Sequence, residues 1–410
     1  MAKCKPYIVR VAVPSPLRRL FDYLVPDTVL QENADHRADV GCRVAVTFGR
    51  REVIGLIIEK ATTSDFDIGK LKPINRLLDS APLVPDPLFE LFGWAANYYQ
   101  YPMGDALFST LPVLLRKGES LPKIGTRHWR LTQKGKGLGK NSLKRAPSQQ
   151  ALVEQLKTTD AVADLVLSKD FSRAILTSLE QKELIECFQK SNTETSVSNI
   201  LKQDALKLHD SQQSALDSIE QHNFNCYLLD GVTGSGKTEI YLQAIEKTLR
   251  YDRQALVLIP EISLTPQTEK RFRDRFNVPI VTLHSGLTDK NRLAAWTSAK
   301  TGEARIILGT RSAVFTPLCQ PGLIIVDEEH DQSYKQHEGF RYSARDLAVI
   351  RARRENISII LGSATPSIES LNNCAADRYQ HLVLTDRAGK AVQPTWSIVD
   401  LKNEQCEAGI

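Results

Sequence analysis

Residues 231–238, Gly-Val-Thr-Gly-Ser-Gly-Lys-Thr, restrict this chain to a small group of folds. The stretch fits the pattern G-x-x-x-x-G-K-[ST], in which glycines let backbone N–H groups point inward around a phosphate. An apolar run at 226–230 precedes it, and 238–247 has helical periodicity. The order strand, glycine-rich loop, helix predicts a phosphate-binding loop in an α/β fold and makes a chance match in a polar loop the weaker interpretation.

The residues of this stretch have expected roles in binding a nucleoside triphosphate. Lys237 is expected to meet the charge of the β- and γ-phosphates, and the hydroxyl of Thr238 to ligate Mg²⁺. The other nucleotide-binding positions are those before the lysine: Gly231, Val232, Thr233, Gly234, Ser235 and Gly236.

An acidic stretch, Asp-Glu-Glu-His at 327–330, directly follows the apolar run 323–326. Parallel sheets bind ligands at the carboxyl ends of their strands, so Asp327 is expected to hold Mg²⁺, directly or through water. Glu328 is the candidate for orienting or deprotonating the attacking water, which makes Lys237, Asp327 and Glu328 the predicted catalytic residues. Alone, the stretch would equally suit a solvated acidic turn.

Composition indicates a globular protein of two to three domains, with 410 residues of which 42% are hydrophobic. No apolar stretch approaches the roughly 18 residues of a spanning helix, so we expect no membrane partner and a cytoplasmic location. The seven cysteines contain no C-x-x-C pair, which argues against a zinc site and a disulfide framework and favours reduced, buried thiols.

Residues 111–150 carry ten Lys and Arg against one acidic residue, while the whole chain has a net charge of +5. A local basic field of this kind attracts a polyanion, although a solvated linker is an equal alternative.

The distribution of apolar residues divides the chain into three parts. β-Branched runs at 7–13, 43–48 and 53–58 predict a small barrel or twisted sheet, followed by a helix from about residue 87 that Pro102 and Pro112 end. Ser148 is expected to cap a helix, and a second helix at 171–179 before a strand at 184–188 suggests a winged-helix module or a helical spacer. A polar linker is predicted at 189–198.

From about residue 205 onward, strand and helix patterns alternate. Apolar runs at 255–259, 280–283, 306–308, 323–326 and 357–361 are typical of a parallel sheet that is covered on both faces.

The segments at the ends of these runs resemble motifs of a known helicase superfamily. They are 260–265 (PEISLT), 309–313 (GTRSA) and 362–366 (GSATP). In this order they resemble the first RecA-like lobe of a superfamily 2 helicase, and the run 327–346, with aromatic residues after DEEH, is similar to the PriA family of primosomal replication-restart helicases.

The resemblance to that family extends to the N-terminus, through 21–23 (FDY), 41–44 (GCRV), 48–49 (FG) and 71–72 (LK). It implies a 3′-DNA-binding domain whose pocket for a strand's 3′ end is formed by Phe21, Asp22, Gly49 and Lys72. An aromatic ring for base stacking and a carboxylate for a terminal hydroxyl suit this task.

The resemblance also assigns roles around the ATP site. It implies that Gln212 reads adenine, that Thr310 and Arg311 contact the strand backbone, and that Ser363 and Thr365 pass the nucleotide state to the DNA. The aromatic-rich loop would stack bases and neutralise phosphates through Tyr334, Lys335, Phe340, Arg341 and Tyr342. Without the resemblance, packing of these rings against the lobe is the alternative.

Taken together, the family resemblance implies an ATP- and Mg²⁺-dependent 3′-to-5′ DNA helicase that remodels stalled forks to reload the replicative helicase. The implied partners are forked and single-stranded DNA, primosome proteins and single-stranded DNA-binding protein. The expected units are 1–110 (3′-DNA-binding), 111–200 (basic linker and winged-helix-like), 201–395 (RecA-like lobe 1) and 396–410 (start of a second lobe). The family's second lobe, with its arginine finger and zinc-binding cysteines, is not found in the sequence, so the alternative is a DNA- and nucleotide-binding module without helicase activity.

Overall fold

The structure is a computed structural model of the 410-residue chain. It describes residues 7–26, 38–122, 126–139, 143, 146–159, 161–163, 167, 170–190, 200–220 and 222–385. The predicted polar linker lies outside these residues from position 191 onward, as do the predicted second-lobe segment 396–410 and part of the basic segment 111–150.

The N-terminal part is a five-stranded antiparallel sheet of order β2-β1-β4-β3-β5. Its strands are β1 (Ile8–Ala12), β2 (Phe21–Leu24), β3 (Arg43–Phe48), β4 (Arg51–Ala61) and β5 (Ile74–Leu77). The Leu24 N–H donates to the Lys72 carbonyl at 3.0 Å, so edge strand β2 meets the chain just before β5 and the sheet curls toward a barrel. The predicted β-branched runs are β1, β3 and the middle of β4.

Three helices follow the sheet: α1 (Asp86–Tyr98), α2 (Met103–Thr110) and α3 (Val113–Arg116). The prediction that Pro102 and Pro112 end the first helix is wrong. α1 ends at Tyr98, and each proline is the N-cap of the next helix. Proline suits a helix start because its fixed φ fits and its missing N–H has no partner there.

A second unit packs short helices on a three-stranded antiparallel sheet of order β7-β6-β8. Its elements are β6 (Thr126–Leu131), α4 (Gln133–Lys136), α5 (Pro147–Thr158), β7 (Val162–Ala163), α6 (Arg173–Gln181) and β8 (Ile185–Lys190). The prediction that Ser148 caps the first long helix is wrong, since Ala146 is the N-cap and Pro147 begins α5. Helices on a small sheet agree with the winged-helix-like architecture expected for this region.

The C-terminal part is a seven-stranded, all-parallel sheet of order β11-β12-β10-β13-β14-β9-β15, which confirms the RecA-like α/β fold. Its strands are β9 (Cys226–Gly231), β10 (Gln254–Leu258), β11 (Ile280–Leu283), β12 (Ile306–Gly309), β13 (Pro321–Val326), β14 (Ser358–Ser363) and β15 (Gln380–Leu384). Its helices are α7 (Asp210–Ser218), α8 (Lys237–Arg250), α9 (Pro266–Arg275), α10 (Asp289–Lys300), α11 (Ala344–Glu355) and α12 (Ile368–Ala375).

The N-terminal helices and the parallel sheet share one hydrophobic core. Phe92 of α1 stacks on Phe315 at a centroid distance of 5.2 Å with an interplanar angle of 13°. Lys300 at the end of α10 donates to the Pro82 carbonyl at 2.8 Å. The opposite face of the parallel sheet is covered by a second core that includes α7, α8 and α9.

Two further observations concern the whole of the described chain. None of its helices has both the length and the apolar character that a membrane span requires. Among its described cysteines, the prediction of burial is wrong for Cys319, which is exposed, and holds for Cys42 and Cys226.

Candidate nucleotide and DNA sites

The glycine-rich loop joins the end of β9 to the start of α8 and has the backbone that a phosphate cradle needs. Gly234 and Gly236 have φ angles of +81° and +85°, which glycine adopts without steric cost. A Cβ at Gly231 would lie 2.5 Å from the Ser235 Oγ, so the close turn also requires a glycine there. The loop leads into α8, whose first residue is Lys237.

Two polar side chains of this loop fit a phosphate group. The Ser235 hydroxyl is buried without a hydrogen-bond partner, a rare state for a buried polar atom. The Lys237 ammonium group donates to the Gly231 carbonyl at 2.6 Å, within the loop itself. A phosphate oxygen would satisfy the serine and give the lysine a charged partner.

An open cleft of about 710 Å³ extends from this loop, a volume in the range of small-molecule sites. Its lining includes the loop residues 233–238, the acids Asp327 and Glu328, and the residues Leu206 and Arg271. The structure therefore brings the predicted phosphate loop and the predicted magnesium and water-activating acids into one cleft.

Asp327 follows β13 and is held from two sides. The Tyr241 hydroxyl donates to its Oδ1 at 3.1 Å, and the Tyr334 hydroxyl donates to its backbone carbonyl at 2.6 Å. Burial, and then the nearby Glu328, raises the pKa of the Asp327 carboxyl. A divalent cation would reverse this effect, because it adds the largest local charge and favours the carboxylate.

Glu328 and His330 link this acidic segment to the segment after β14. Glu328 has a φ of +46°, uncommon for a residue with a side chain, and its Oε2 lies 3.7 Å from the His330 Nδ1. His330 shares hydrogen bonds with the Ser363 Oγ at 2.7 Å and the Thr365 Oγ1 at 3.3 Å. Ser363 and Thr365 therefore contact the acidic segment through His330, and their role in passing the nucleotide state to the DNA stays a prediction.

Gln212 lies on α7, buried against the phosphate loop. Its amide nitrogen donates to the Ser235 carbonyl at 2.8 Å, and its amide oxygen accepts from the His209 N–H at 2.9 Å. The side chain thus connects the start of α7 to the loop. Reading of adenine by Gln212 stays a prediction.

The sequence analysis assigned no role to Glu329, the buried third residue of the acidic stretch 327–330. Its carboxylate accepts hydrogen bonds from the Ser367 N–H at 2.6 Å, the Ser370 hydroxyl at 2.9 Å and the Arg345 guanidinium at 3.1 Å. Glu329 therefore fixes the acidic segment to the starts of α11 and α12. Its position after two functional acids gave no signal of this structural role.

At the N-terminal sheet, the structure brings most of the predicted 3′-end pocket together. The Lys72 ammonium group donates to the Gly49 carbonyl at 3.3 Å. Phe21 meets Phe48, the neighbour of Gly49, with ring centroids 4.9 Å apart in an edge-on arrangement. Gly49 has a φ of +61° and open space around its Cα, which leaves room for a ligand against the backbone.

Asp22 points away from Phe21. Asp22 pairs with Arg10 across β1 and β2 while Phe21 pairs with the buried Val11, and successive strand residues face opposite sides of a sheet. The Asp22 carboxylate lies 3.5 Å from the Arg10 guanidinium. A pocket that uses both Phe21 and Asp22 must therefore lie at the end of β2, which Phe21 begins.

The aromatic-rich loop packs into the protein. Tyr334, Phe340 and Tyr342 are 2%, 3% and 8% exposed, while Lys335 and Arg341 are exposed. Burial raises the pKa of the Tyr342 phenol to about 12. Packing describes the three rings in this structure, and their stacking on bases stays a prediction.

A cleft of about 500 Å³ lies between this loop and the end of α2. Thr310 and Arg311, the predicted backbone contacts, line it together with Ser109 of α2. The Arg311 guanidinium also donates to the Ser333 and Lys335 carbonyls at 3.0 and 2.9 Å, so it fixes one arm of the aromatic-rich loop.

Part of the basic segment 111–150 is neutralised where the structure describes it. Arg130 pairs with Glu186 at 2.7 Å, and Lys134 with Glu183 at 3.3 Å, both on the second unit. The local positive field is therefore weaker than the segment's own charge suggests.

Comparison with known proteins yields two matching family models. The PriA 3′ DNA-binding domain matches residues 10–112, and the DEAD/DEAH box helicase model matches residues 209–374. These ranges contain nearly all of the five-stranded sheet, helices α1 and α2, and six of the seven strands of the parallel sheet.

Similar curated proteins match along almost the whole chain. The replication restart protein PriA of Haemophilus influenzae is 46% identical over 98% of this chain and 55% of its own length. Those of Chlamydia pneumoniae and Bacillus subtilis are 34% and 32% identical over 96% and 94% of this chain and 53% and 56% of their own. The chain thus spans about half the length of these relatives.

Among solved structures, the helicase domain of Pyrococcus furiosus Hef is 23% identical over 45% of this chain and 40% of that chain, with a TM-score of 0.36. The two family models and the agreement of the PriA proteins along the chain identify it: this chain belongs to the PriA family of replication restart proteins.

Proposed function

We propose that this chain is the DNA-recognising and ATP-binding half of a 3′-to-5′ DNA helicase that restarts replication at stalled forks. The observation that carries the proposal is the cleft in which the phosphate loop faces Asp327 and Glu328, beside a buried serine hydroxyl that lacks a partner. This combination is what phosphoryl transfer from ATP requires.

Within this cleft, the chain's own residues divide the work of hydrolysis. The loop N–H groups and Lys237 bind and orient the phosphates, and Thr238 and Asp327 hold Mg²⁺. When bound, Mg²⁺ neutralises the charge that develops on the phosphate oxygens. Glu328 accepts a hydrogen bond from the attacking water, because it lines the same cleft and directly follows the metal-holding acid in the chain.

DNA recognition is assigned to two surfaces. At the N-terminal sheet, Phe21, Gly49 and Lys72 form the pocket for a 3′ end, with Asp22 at its edge. At the helicase lobe, the cleft lined by Thr310 and Arg311 takes the strand backbone. On the aromatic-rich loop, the exposed Lys335 and Arg341 neutralise phosphates.

Membership of the family supports further proposals about the whole protein. The units are 1–110, 111–200, 201–395 and 396–410, as the sequence suggests, and the protein acts in the cytoplasm. Its partners are forked and single-stranded DNA, primosome proteins and single-stranded DNA-binding protein. Zinc belongs to the full-length family and has no proposed ligands among the residues of this chain.

ATP hydrolysis with and without forked DNA tests the proposal. The chain is expected to bind Mg·ATP by calorimetry and to hydrolyse it slowly, and forked DNA is expected to raise the rate. Lys237→Ala should abolish both effects. Lys247→Ala is the matched control on the same helix, because its ammonium group binds the Leu216 carbonyl at 3.0 Å, outside the residues that line the cleft.

The outcomes also separate this proposal from a fork-binding module that lacks hydrolysis. A chain that binds forks and Mg·ATP but turns over at the rate of Lys237→Ala would support the module. Failure to bind Mg·ATP would reject an ATP-driven function altogether.

A further inference from the structure

Tyr241 has a buried phenol side chain and is not among the residues assigned to the nucleotide site above. It lies on α8 one turn after Lys237, so both side chains are on the same face of the helix that begins at the phosphate loop. Its side chain is 2% exposed, and its hydroxyl donates to the Asp327 Oδ1 at 3.1 Å. The phenol therefore joins the phosphate-binding helix to the acid that is proposed to hold Mg²⁺.

A glycine in the neighbouring strand provides space for this phenol. A Cβ on Gly362, near the end of β14, would lie 1.5 Å from the Tyr241 hydroxyl oxygen and 2.7 Å from its Cζ. Gly362 does not have a positive φ, so its backbone conformation would allow a side chain. The glycine is thus explained by the phenol, and the next residue, Ser363, hydrogen bonds to His330.

The main chain of Asp327 is held by two hydrogen bonds. Its N–H donates to the Leu258 carbonyl at 2.9 Å, and its own carbonyl accepts from the Tyr334 hydroxyl. The Tyr241 hydroxyl holds the Oδ1 atom of the carboxylate from the side of α8, and the neighbouring Glu328 N–H also hydrogen bonds to the carboxylate.

We propose that Tyr241 is a positioning residue that orients the Asp327 carboxylate for Mg²⁺ binding. This inference rests on the proposed function, since it requires the cleft to bind a magnesium–nucleotide complex. Donors that contact a metal ligand from outside set its orientation, and their loss typically lowers metal affinity or activity about 10- to 100-fold.

The phenol suits this task because it is a neutral donor. It constrains one carboxylate oxygen without an opposing positive charge, so the carboxylate keeps its full charge for the cation.

The test is a Mg²⁺ titration of the 410-residue chain with a fluorescent ATP analogue. Tyr241→Phe is expected to raise the Mg²⁺ concentration for half-maximal response about 10-fold. Its affinity for the analogue in EDTA should change less than about 2-fold, because the phosphate loop is intact. Binding of Mn²⁺ in the presence of the analogue, measured by electron paramagnetic resonance, should weaken by the same factor.

Tyr227→Phe is the matched control. Tyr227 is also fully buried, but its hydroxyl accepts a hydrogen bond from the Glu220 N–H at 3.0 Å, away from the acidic segment. The Tyr227→Phe variant loses a buried hydroxyl of the same kind, and we expect its Mg²⁺ titration to match that of the unchanged chain.

Gly362→Ala provides a second approach that keeps both Tyr241 and Asp327. The added methyl group must displace the phenol, so we expect a similar rise in the Mg²⁺ requirement. If either variant fails to fold, as judged by cooperative thermal unfolding, the other decides.

The positioning role of Tyr241 and the ATP site can be overturned by different results. If the unchanged chain shows Mg²⁺-dependent binding and Tyr241→Phe has the midpoint of Tyr227→Phe, the positioning role is overturned and the ATP site stands. If the unchanged chain binds no nucleotide with Mg²⁺, the proposed function is overturned and the positioning role with it.

Discussion

At the scale of single residues, the Asp327 carboxylate is costly to the folded protein when no cation is bound. Burial and Glu328 raise the pKa of this carboxyl in the folded state. Between the pKa of the unfolded state and the raised pKa of the folded state, the folded protein therefore holds a proton that the unfolded chain has released. The free energy of unfolding therefore falls as pH rises through the raised pKa of Asp327. Above that pKa the folded protein bears the full cost of a buried, ionised carboxylate.

Asp327→Asn should consequently stabilise the metal-free protein. In EDTA at pH 7 we expect its free energy of unfolding to be higher by about 0.5–2 kcal/mol, the usual size of single stabilising changes. The gain should vanish well below about pH 4, where the carboxyl is protonated in both the folded and the unfolded state. Urea unfolding at the two pH values measures this, with the exposed Asp65→Asn as control, and equal gains at both pH values would contradict it.

The Asp22 carboxylate allows a test of the 3′-end pocket. Asp22→Ala should weaken binding to forks with an exposed leading-strand 3′ end more than binding to plain duplex, by about 5-fold or more, since one buried hydrogen bond to a hydroxyl is worth about 1 kcal/mol. Fluorescence anisotropy with both DNAs measures the ratio.

Glu59→Ala is the matched control for this experiment. Arg10 pairs with both Asp22 and Glu59, so either change removes one partner of the same guanidinium. Glu59→Ala should leave the preference for a 3′ end unchanged. Uniform weakening by Asp22→Ala on all DNAs would count against the pocket.

At the scale of secondary-structure elements, the parallel sheet was the most predictable part of the fold. The runs at 255–259 and 323–326 are continuous in apolar residues because strands such as β10 and β13 are buried on both faces. β2 and β15 were missed, because their sequences mix polar and apolar residues at the edges of their sheets.

The candidate sites were predictable to different degrees for physical reasons. The phosphate loop was predictable from the sequence, because it requires glycines at fixed positions. The burial of Tyr334 and Phe340 was not predictable, because aromatic residues occur both in cores and at binding surfaces. Tyr241 was missed because its partner, Asp327, is 86 residues away and only the fold brings them together.

The aromatic-rich loop can be tested as an element of the core. Phe340 packs against Phe315 and Tyr342, with centroid distances of 6.2 and 5.2 Å. Phe340→Ala should therefore lower the free energy of unfolding by about 3–5 kcal/mol without any DNA. Thermal unfolding measures the change.

Arg341→Ala is the comparison next to it in the chain. Its side chain is exposed, so stability should change by less than about 0.5 kcal/mol while affinity for single-stranded DNA falls and becomes less dependent on salt. If Phe340→Ala instead keeps its stability and loses DNA binding, the ring acts on bases and not in the core.

At the scale of the whole molecule, the N-terminal helices and the helicase lobe form one packed body around the shared core. α1 contacts α11, and Arg354 of α11 pairs with Glu90 of α1 at 2.5 Å. The second unit has its own separate core around Trp129 and Leu152. Nucleotide binding in the cleft is therefore expected to stabilise the two parts of the chain unequally.

Hydrogen exchange with a slowly hydrolysed ATP analogue and Mg²⁺ should reveal this difference. At 100 times its dissociation constant the analogue stabilises the folded state by about 2.7 kcal/mol, so amides that exchange through opening of the shared core should slow about 100-fold. We expect this slowing for α1 and α11, and unchanged exchange for α5 and α6.

Phe92→Ala, which removes the stack on Phe315, should confine the slowing to the helicase lobe, because α1 then opens independently of the cleft. Equal slowing in α5 and α6 would mean that the chain opens as a single unit and that the two cores do not act separately.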